Sequence, residues 1–488
     1  MSAMFIDLPL GLLKEGLFAN ALLLILSLYV VVLIVSAVRN PLRKVPGPLY
    51  SNFTRLALKW AIITGTRIHY IDALHKKYGP HVRISPSEVA VADPKSFTQI
   101  HKIGSGFLKS DWYREVVNDP RYTVFSMTDP KRHGARRKSF ARGFSKSYLR
   151  QNWEPMVHEK IKLAVSRIRA DAVSTTADLL KWWILMATDV TVHLTFGESF
   201  HMVEKGELSD YIRAIQHGLI GNGMTSEMLW LREIGKRFPG KTAERFFRSN
   251  DEISEKAQVA ITNSKKEGMG ANIFSTIEVG PNFTETDINA EATTLIVAGS
   301  DSTAVSLTYL VWSVLSHPEI QHELETEVAT LPVGFGDIDV ENLPVLNAVI
   351  QEAMRLYGAV NTPMPRVVPA GGVTMGGYYL PEGTTATTQA HTIHRDSTLF
   401  PEPLNFNPSR WAVISAVAKA AYHPFGAGAR TCLGINIAQM EIRLATAEFF
   451  RECAGARLAP SATSECMAIE QFFLLNPAGH KCEITLKA

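Results

Sequence analysis

Ten residues near the C-terminus limit this chain more than any other feature: Phe425-Gly426-Ala427-Gly428-Ala429-Arg430-Thr431-Cys432-Leu433-Gly434. Glycines surround a single thiol, an arginine stands two positions before it, and a helical pattern begins just after it. Lacking a Cβ, glycines let the backbone wrap closely around a sulfur and aim amide N–H groups at it. A thiolate held that way suits a large, soft metal centre. Two plainer roles compete. A lone cysteine is commonly a small buried hydrophobe, and a zinc site needs several Cys or His at short spacing. Cys453, Cys466 and Cys482 form no C-x-x-C pair with Cys432 or with each other, which argues against zinc. The number of fixed positions around Cys432 argues against plain burial.

With 488 residues, 46% of them hydrophobic, the chain can bury a large core. A net charge of +3 without a basic tail gives no reason to expect nucleic acid as a partner. All 4 cysteines fall in the C-terminal quarter, which is no disulfide framework and fits a reducing compartment. Residues 21–38 carry no charge and are rich in Leu, Ile and Val, close to the roughly 20 residues that a membrane-spanning helix needs. A cleaved signal peptide has a shorter apolar stretch after a basic start. Here Asp7, Lys14 and Glu15 nearly cancel, whereas Arg39, Arg43 and Lys44 follow the stretch. Positive charge after the span predicts a single-pass anchor with the remainder in the cytosol. The expected division is an anchor over 1–40 with its helix at about 21–38, a hinge over 41–50, and one domain over 51–488. The hinge rests on Pro41, Pro46, Gly47 and Pro48, which make a stiff connection.

Within the domain, Val82-Arg83-Ile84 and Glu88-Val89-Ala90-Val91 alternate like the arms of a hairpin, and Asp93-Pro94 reads as a helix start. From Thr128 to about Ile350 the pattern is mainly helical. The longest helix is expected over 286–315, opened by a capping box at Thr284 and Asp287 and closed before Pro318. After Gly358 short strands and turns take over, including a Pro-x-Gly turn at Pro381-Glu382-Gly383. The expected fold class is mainly α with a small β region.

Three further constellations stand out. Glu352 and Arg355 share a helix face at i, i+3 and can pair, and the apolar residues around them imply burial. Phe406-Asn407-Pro408-Ser409-Arg410-Trp411 offers a second arginine. Ala298-Gly299-Ser300-Asp301-Ser302-Thr303 places poor helix formers in the middle of the longest helix; that is either an exposed polar face or a functional distortion. His133 and Arg137 stand at i, i+4 on a predicted helix crowded with Lys131, Arg132, Arg136, Lys138, Arg142 and Lys146. Such a run is usually a solvated face.

The loop F-G-x-G-x-R-x-C-x-G, the E-x-x-R and F-x-P-x-R-W elements and the A-G-x-D-x-T segment come in the order seen in the cytochrome P450 family. From the hinge to the C-terminus the chain resembles that family, in the style of microsomal enzymes of filamentous-fungal secondary metabolism. The resemblance implies a single haem domain of that type behind an N-terminal transmembrane helix. It implies haem b on the Cys432 thiolate, which favours O–O cleavage, within a loop that includes Phe425, Arg430 and Gly434. His133, Arg137, Arg366 and Arg430 would meet the propionates. Ala298 and Gly299 would line the oxygen site, Gly299 leaving room for dioxygen, with Asp301, Ser302 and Thr303 relaying protons. Ser302 departs from the usual Thr. Glu352, Arg355 and Arg410 would be structural.

The family's positions for substrate contacts fall at about 107–125, 224–230, Val297, 359–364 and Phe472-Phe473, which are mostly apolar and imply a lipophilic small molecule. The leading expectation is a monooxygenase of the endoplasmic reticulum membrane, its catalytic domain cytosolic. It would use O2 and NADPH electrons delivered by NADPH-cytochrome P450 reductase to hydroxylate, epoxidise or desaturate a secondary metabolite or mycotoxin precursor. The basic stretch would steer the reductase. A reductase-independent isomerase or dehydratase, and a non-catalytic haem-binding protein, are the alternatives.

Overall fold

A 31-residue helix, Glu285–Leu315, runs through the core, as its apolar length predicts. Its start is the expected capping box: the Thr284 N–H donates to Asp287 Oδ2 at 2.9 Å, and the Asp287 N–H donates to Thr284 Oγ1 at 3.3 Å. Pro318 opens the next helix. The computed structural model describes residues 10–117, 121–209, 212–213, 229–235, 237, 272–277 and 283–487. The expected substrate stretch at 224–230 lies outside these, apart from its last two positions.

The main helices are α1 (Leu10–Arg39), α2 (Pro94–His101), α3 (Pro130–Phe140), α4 (Glu154–Ser174), α5 (Leu179–Phe196), α6 (Glu285–Leu315), α7 (Pro344–Tyr357) and α8 (Ile435–Glu452). The larger sheet holds β1 (His81–Ser85), β2 (Glu88–Val91), β3 (Leu108–Lys109), β4 (Pro363–Val367) and β5 (Thr385–Gln389), in the order β1-β2-β5-β4-β3. The expected hairpin is β1–β2, antiparallel with Val82 opposite Ala90. Asp93 caps α2, accepting the Ser96 N–H at 2.8 Å, with Pro94 in its first turn. The fold is thus mainly helical with small sheets. One apolar cluster, with Trp183, Tyr309, Phe449 and Phe450 among its members, joins α3 through α8.

In α1, the segment Phe18–Arg39 is long enough to cross a membrane, and its most apolar 18 residues have a mean hydropathy of 3.0. Its side chains pack on almost nothing; Leu24 and Ile25 are 71% and 64% exposed. The helix extends beyond the expected 21–38 at both ends. α6 passes the same length and hydropathy test but is mostly buried, as a core helix is.

The proline-rich hinge is docked along its length. Arg83 of β1 donates to the carbonyls of Leu42, Val45 and Pro48 at 3.1, 2.8 and 3.2 Å. Leu42 and Val45 are buried beside Val89 and Val91. A Cβ on Gly47 would lie 2.4 Å from the Arg83 carbonyl oxygen, so only glycine permits this approach. Asn40 is tied as well, donating to the Pro86 carbonyl at 2.6 Å. These contacts hold the stretch from Asn40 to Pro48 against β1 and β2.

Candidate active site

Cys432 lies where a tight loop enters α8. Its N–H donates to the Phe425 carbonyl at 2.9 Å, and the Thr431 N–H donates to the Gly428 carbonyl at 3.2 Å, which closes the loop on itself. Gly428 is required twice over: its φ is 65°, and a Cβ there would lie 1.9 Å from the His101 carbonyl oxygen at the end of α2. Burial pushes the thiol up, while the Gly434 N–H aimed at the sulfur and the nearby Arg137 charge pull the other way. Protein surrounds Cys432 densely, yet its own surface is accessible. It therefore faces an internal space.

One face of α6 is accessible as well. Ala298 is exposed and Asp301 and Ser302 are half-exposed in the middle of a helix whose later turns are fully buried. Ala298, Asp301 and Ser302 thus share one accessible face of the helix, while Ser300 and Thr303 are buried. Ser302 Oγ donates to the Ala298 carbonyl at 2.5 Å, which commits its hydrogen and leaves its lone pairs as acceptors. Thr303 points elsewhere: it is 2% exposed and bonded to the Glu441 carboxyl of α8. Burial pushes Glu441 up to about 8, with the Thr303 bond acting against it. The family resemblance gives Gly299 the task of leaving room for dioxygen; the structure gives its missing Cβ another neighbour. A Cβ there would lie 2.5 Å from Thr191 Oγ1, so Gly299 lets α5 and α6 approach closely.

Basic side chains converge near the Cys432 loop. In the sheet register Lys109 of β3 stands directly opposite Arg366 of β4, and like charges facing across a ladder repel. Both are buried, as is His133 of α3. Arg137 donates to the Thr431 carbonyl at 2.7 Å. Arg430 reaches the carbonyls of Met127 and Thr128 at 2.8 and 3.1 Å. Arg366 donates to Tyr113 Oη at 2.6 Å. Burial, then Arg366 and Arg430, hold Lys109 well below the usual lysine range. Burial, then Arg430, Lys109 and Arg137, lower His133 to about 3. Burial and Arg366 lower Arg430 to about 10. The expected propionate residues are brought together, and Lys109, which no motif marks, joins them. Among the described residues Asp129 is the acid that acts on Arg430. A cluster of this kind fits a ligand bearing two carboxylates beside a thiol, which is what haem brings.

Aromatic rings adjoin this cluster. Trp112 and Phe125 lie 6.2 and 6.0 Å from Phe473, and Tyr113 lies 5.4 Å from Phe125. The Lys109 ammonium stands 4.1 and 4.5 Å from the Tyr113 and Phe125 rings. Behind the site, the Glu352 carboxylate takes Arg355 Nη2 at 2.8 Å and Arg410 Nε at 3.0 Å, as the E-x-x-R reading expects.

The basic stretch divides. Lys131, Arg132, Lys138 and Arg142 are exposed. Arg136 is not a surface charge: it is 6% exposed and pairs with Asp287 and Glu291, both at 3.0 Å. Lys146 pairs with Glu341 in a network that includes Arg150 and Asp337. Sequence spacing could not separate these two from their neighbours, because their acidic partners lie more than a hundred residues away.

The cytochrome P450 family profile matches residues 46–483. The chain is 41% identical over 467 residues to the cytochrome P450 monooxygenase stcB of Emericella nidulans, covering 92% of this chain and 89% of that one. It is 40% identical to the monooxygenase aflV of Aspergillus parasiticus, covering 92% of each. It is 33% identical to the methylphloroacetophenone oxidase of Cladonia uncialis, over 75% of this chain and 85% of that one. With a thiol loop, a dicarboxylate-sized cluster of cations and this extent of likeness, the chain belongs to the cytochrome P450 family and is a cytochrome P450 monooxygenase.

Proposed function

We propose that this enzyme oxidises a lipophilic small molecule bearing an aromatic ring, in the biosynthesis of a secondary metabolite. The observation that carries this reading is the wall formed by Trp112, Phe125 and Phe473 beside the cation cluster. These rings pack on one another with centroids about 6 Å apart, and all three stay half-buried, so each keeps ring surface that an aromatic ligand can meet by offset or edge contact. The relatives named above include an oxidase of methylphloroacetophenone, an aryl ketone. Haem b would supply the binding and reductive activation of O2. Cys432 would ligate its iron, with Phe425 and Gly434 shaping the loop, and Lys109, His133, Arg137, Arg366 and Arg430 would hold its propionates.

Electrons would come from NADPH through NADPH-cytochrome P450 reductase, docked on the exposed Lys131, Arg132, Lys138 and Arg142. The anchor would hold the enzyme in the endoplasmic reticulum membrane with the catalytic domain cytosolic, as the positive flank of α1 suggests. The test is incubation with an extract of aromatic metabolites, with and without NADPH and reductase, read by mass. A product one oxygen heavier, or two hydrogens lighter, that requires both is expected. A mass-neutral product formed without reductase points to an isomerase instead. Reversing Arg132 and Lys138 to Glu slows reduction by reductase and leaves reduction by dithionite unchanged.

Asp301 would bring protons in, and Ser302, its own hydrogen held by the Ala298 carbonyl, would accept a hydrogen bond from the bound oxygen species. Ser302→Ala should leave substrate binding near the parent level and lower product per NADPH by roughly tenfold, the lost electrons appearing as hydrogen peroxide. Ser302→Thr should keep or improve coupling, because the added methyl restricts χ1. Thr303→Ala should couple normally, since that hydroxyl is bonded to Glu441. Uncoupling by Thr303→Ala alone would move the relay to Thr303.

A further inference from the structure

Glu291 lies on α6, ten positions before Asp301, in no recognisable motif, and its surface is fully buried. Its Oε1 accepts the Val124 N–H at 2.8 Å and an Arg136 Nη1–H at 3.0 Å. Arg136 also reaches Asp287, one turn earlier on α6, at 3.0 Å, and its guanidinium sits 4.4 Å from the Phe283 ring. Glu291 Oε2 is buried and lacks a hydrogen-bond partner among the described residues. A buried carboxylate left half-satisfied is unfavourable unless its geometry serves a purpose.

One oxygen thus joins three segments. Val124 belongs to a tight turn: the Thr123 N–H donates to Ser126 Oγ at 2.9 Å, and the Met127 N–H donates to the Thr123 carbonyl at 2.9 Å. That turn carries Phe125, whose ring meets Phe473 and Tyr113 and whose carbonyl accepts from Lys109. Arg136 stands on α3 beside Arg137. α6 carries the accessible face with Ala298 and Ser302.

We propose that Glu291 is a positioning residue that latches the 121–127 turn to α6, so that Phe125 closes the aromatic wall and bulky ligands enter only when the latch opens. This rests on the reading of 107–125 as a wall of the substrate site. The charged groups facing Glu291 are Arg136 from α3 and Asp287 from α6; from the turn it meets only the Val124 N–H. Burial pushes its carboxyl up to about 7, against the pull of Arg136 and Val124.

Two measurements on the haem-loaded full chain test this: hydrogen–deuterium exchange of the 121–127 amides, corrected for intrinsic rates, and association of phenyl isocyanide against carbon monoxide with the reduced protein. In Glu291→Ala, exchange over 121–127 should rise roughly tenfold. Phenyl isocyanide should bind several-fold faster, with the carbon monoxide rate unchanged. Asp287→Asn, which leaves the Val124 bond in place, should resemble the parent in both. If Glu291→Ala does not fold, Glu291→Gln keeps the volume without the charge and should shift both rates in the same direction. Unchanged exchange in the variants overturns the latch and leaves the wall reading standing. Faster exchange with unchanged isocyanide entry refutes the wall reading and overturns the proposal with it.

Discussion

Replacing Cys432 with alanine should abolish the red-shifted Soret band of the reduced, carbon monoxide-bound protein while leaving the fold in place. The loop around this residue is held by backbone bonds that alanine keeps, chiefly the Cys432 N–H to the Phe425 carbonyl. What alanine removes is the sulfur toward which the Gly434 N–H points. No other cysteine can take over. Cys453 is buried beyond the end of α8, its thiol pushed up to about 12 mainly by burial. Cys482 is buried and pushed up by burial and by Asp178. The Cys466 thiol lies 3.6 Å from the Lys481 carbonyl. None has a glycine loop around it. Far-UV circular dichroism near that of the parent, with the thiolate band gone, is the expected result. A normal band in the variant would remove Cys432 from the iron.

What could be read from the chain was what local sequence encodes. The Cys432 loop, the Thr284–Asp287 box and the Asp93–Pro94 helix start depend on residues within a few positions of each other, and each appears where its pattern predicts. Glu352 and Arg355 were legible as a pair for the same reason. What local sequence did not show shares one physical cause, which is a partner supplied by tertiary structure. Gly299 carries a family signature, and the neighbour its missing Cβ lets approach, Thr191, lies on a helix far away in sequence. Arg136 sits in a basic run, and only packing shows that it faces Asp287 and Glu291 rather than water. Lys109 is an ordinary lysine until the sheet register sets it against Arg366. Glu441 follows Cys432 by nine positions on a regular helix, and its bond to Thr303 exists only because α8 packs on α6. A buried charge in an apolar stretch is the one sequence cue that could have flagged these groups, and here polar neighbours masked it.

Glu352→Ala should have the largest effect on stability. The carboxylate is fully buried and accepts five hydrogen bonds: from Arg355 Nε and Nη2 at 3.0 and 2.8 Å, from Arg410 Nε at 3.0 Å, from the Asn407 N–H at 2.9 Å and from Trp411 Nε1 at 3.0 Å. It thereby fastens α7 to the segment from Asn407 to Trp411. Arg355 is fully buried as well, and its Nη1 is already committed to the carbonyls of His394 and Pro403, both at 2.7 Å. Removing the acid takes the counter-charge from Arg355, which water does not reach, and from the half-buried Arg410. Breaking such a buried pair from one side costs about 3–5 kcal/mol, a large part of the roughly 5–15 kcal/mol that holds a typical domain together. Glu352→Gln should come close to the same loss, since its NH2 group would face guanidinium donors while only one oxygen remains to accept. Asp keeps the charge but is one methylene short, so it should fall between. The urea midpoint, followed by near-UV circular dichroism and by the carbon monoxide band, should drop in the order parent, Asp, Gln, Ala. A Glu352→Ala protein that unfolds at the parent's midpoint would show that Arg355 and Arg410 are neutralised by some other group, and that the carboxylate does not hold this side of the scaffold together.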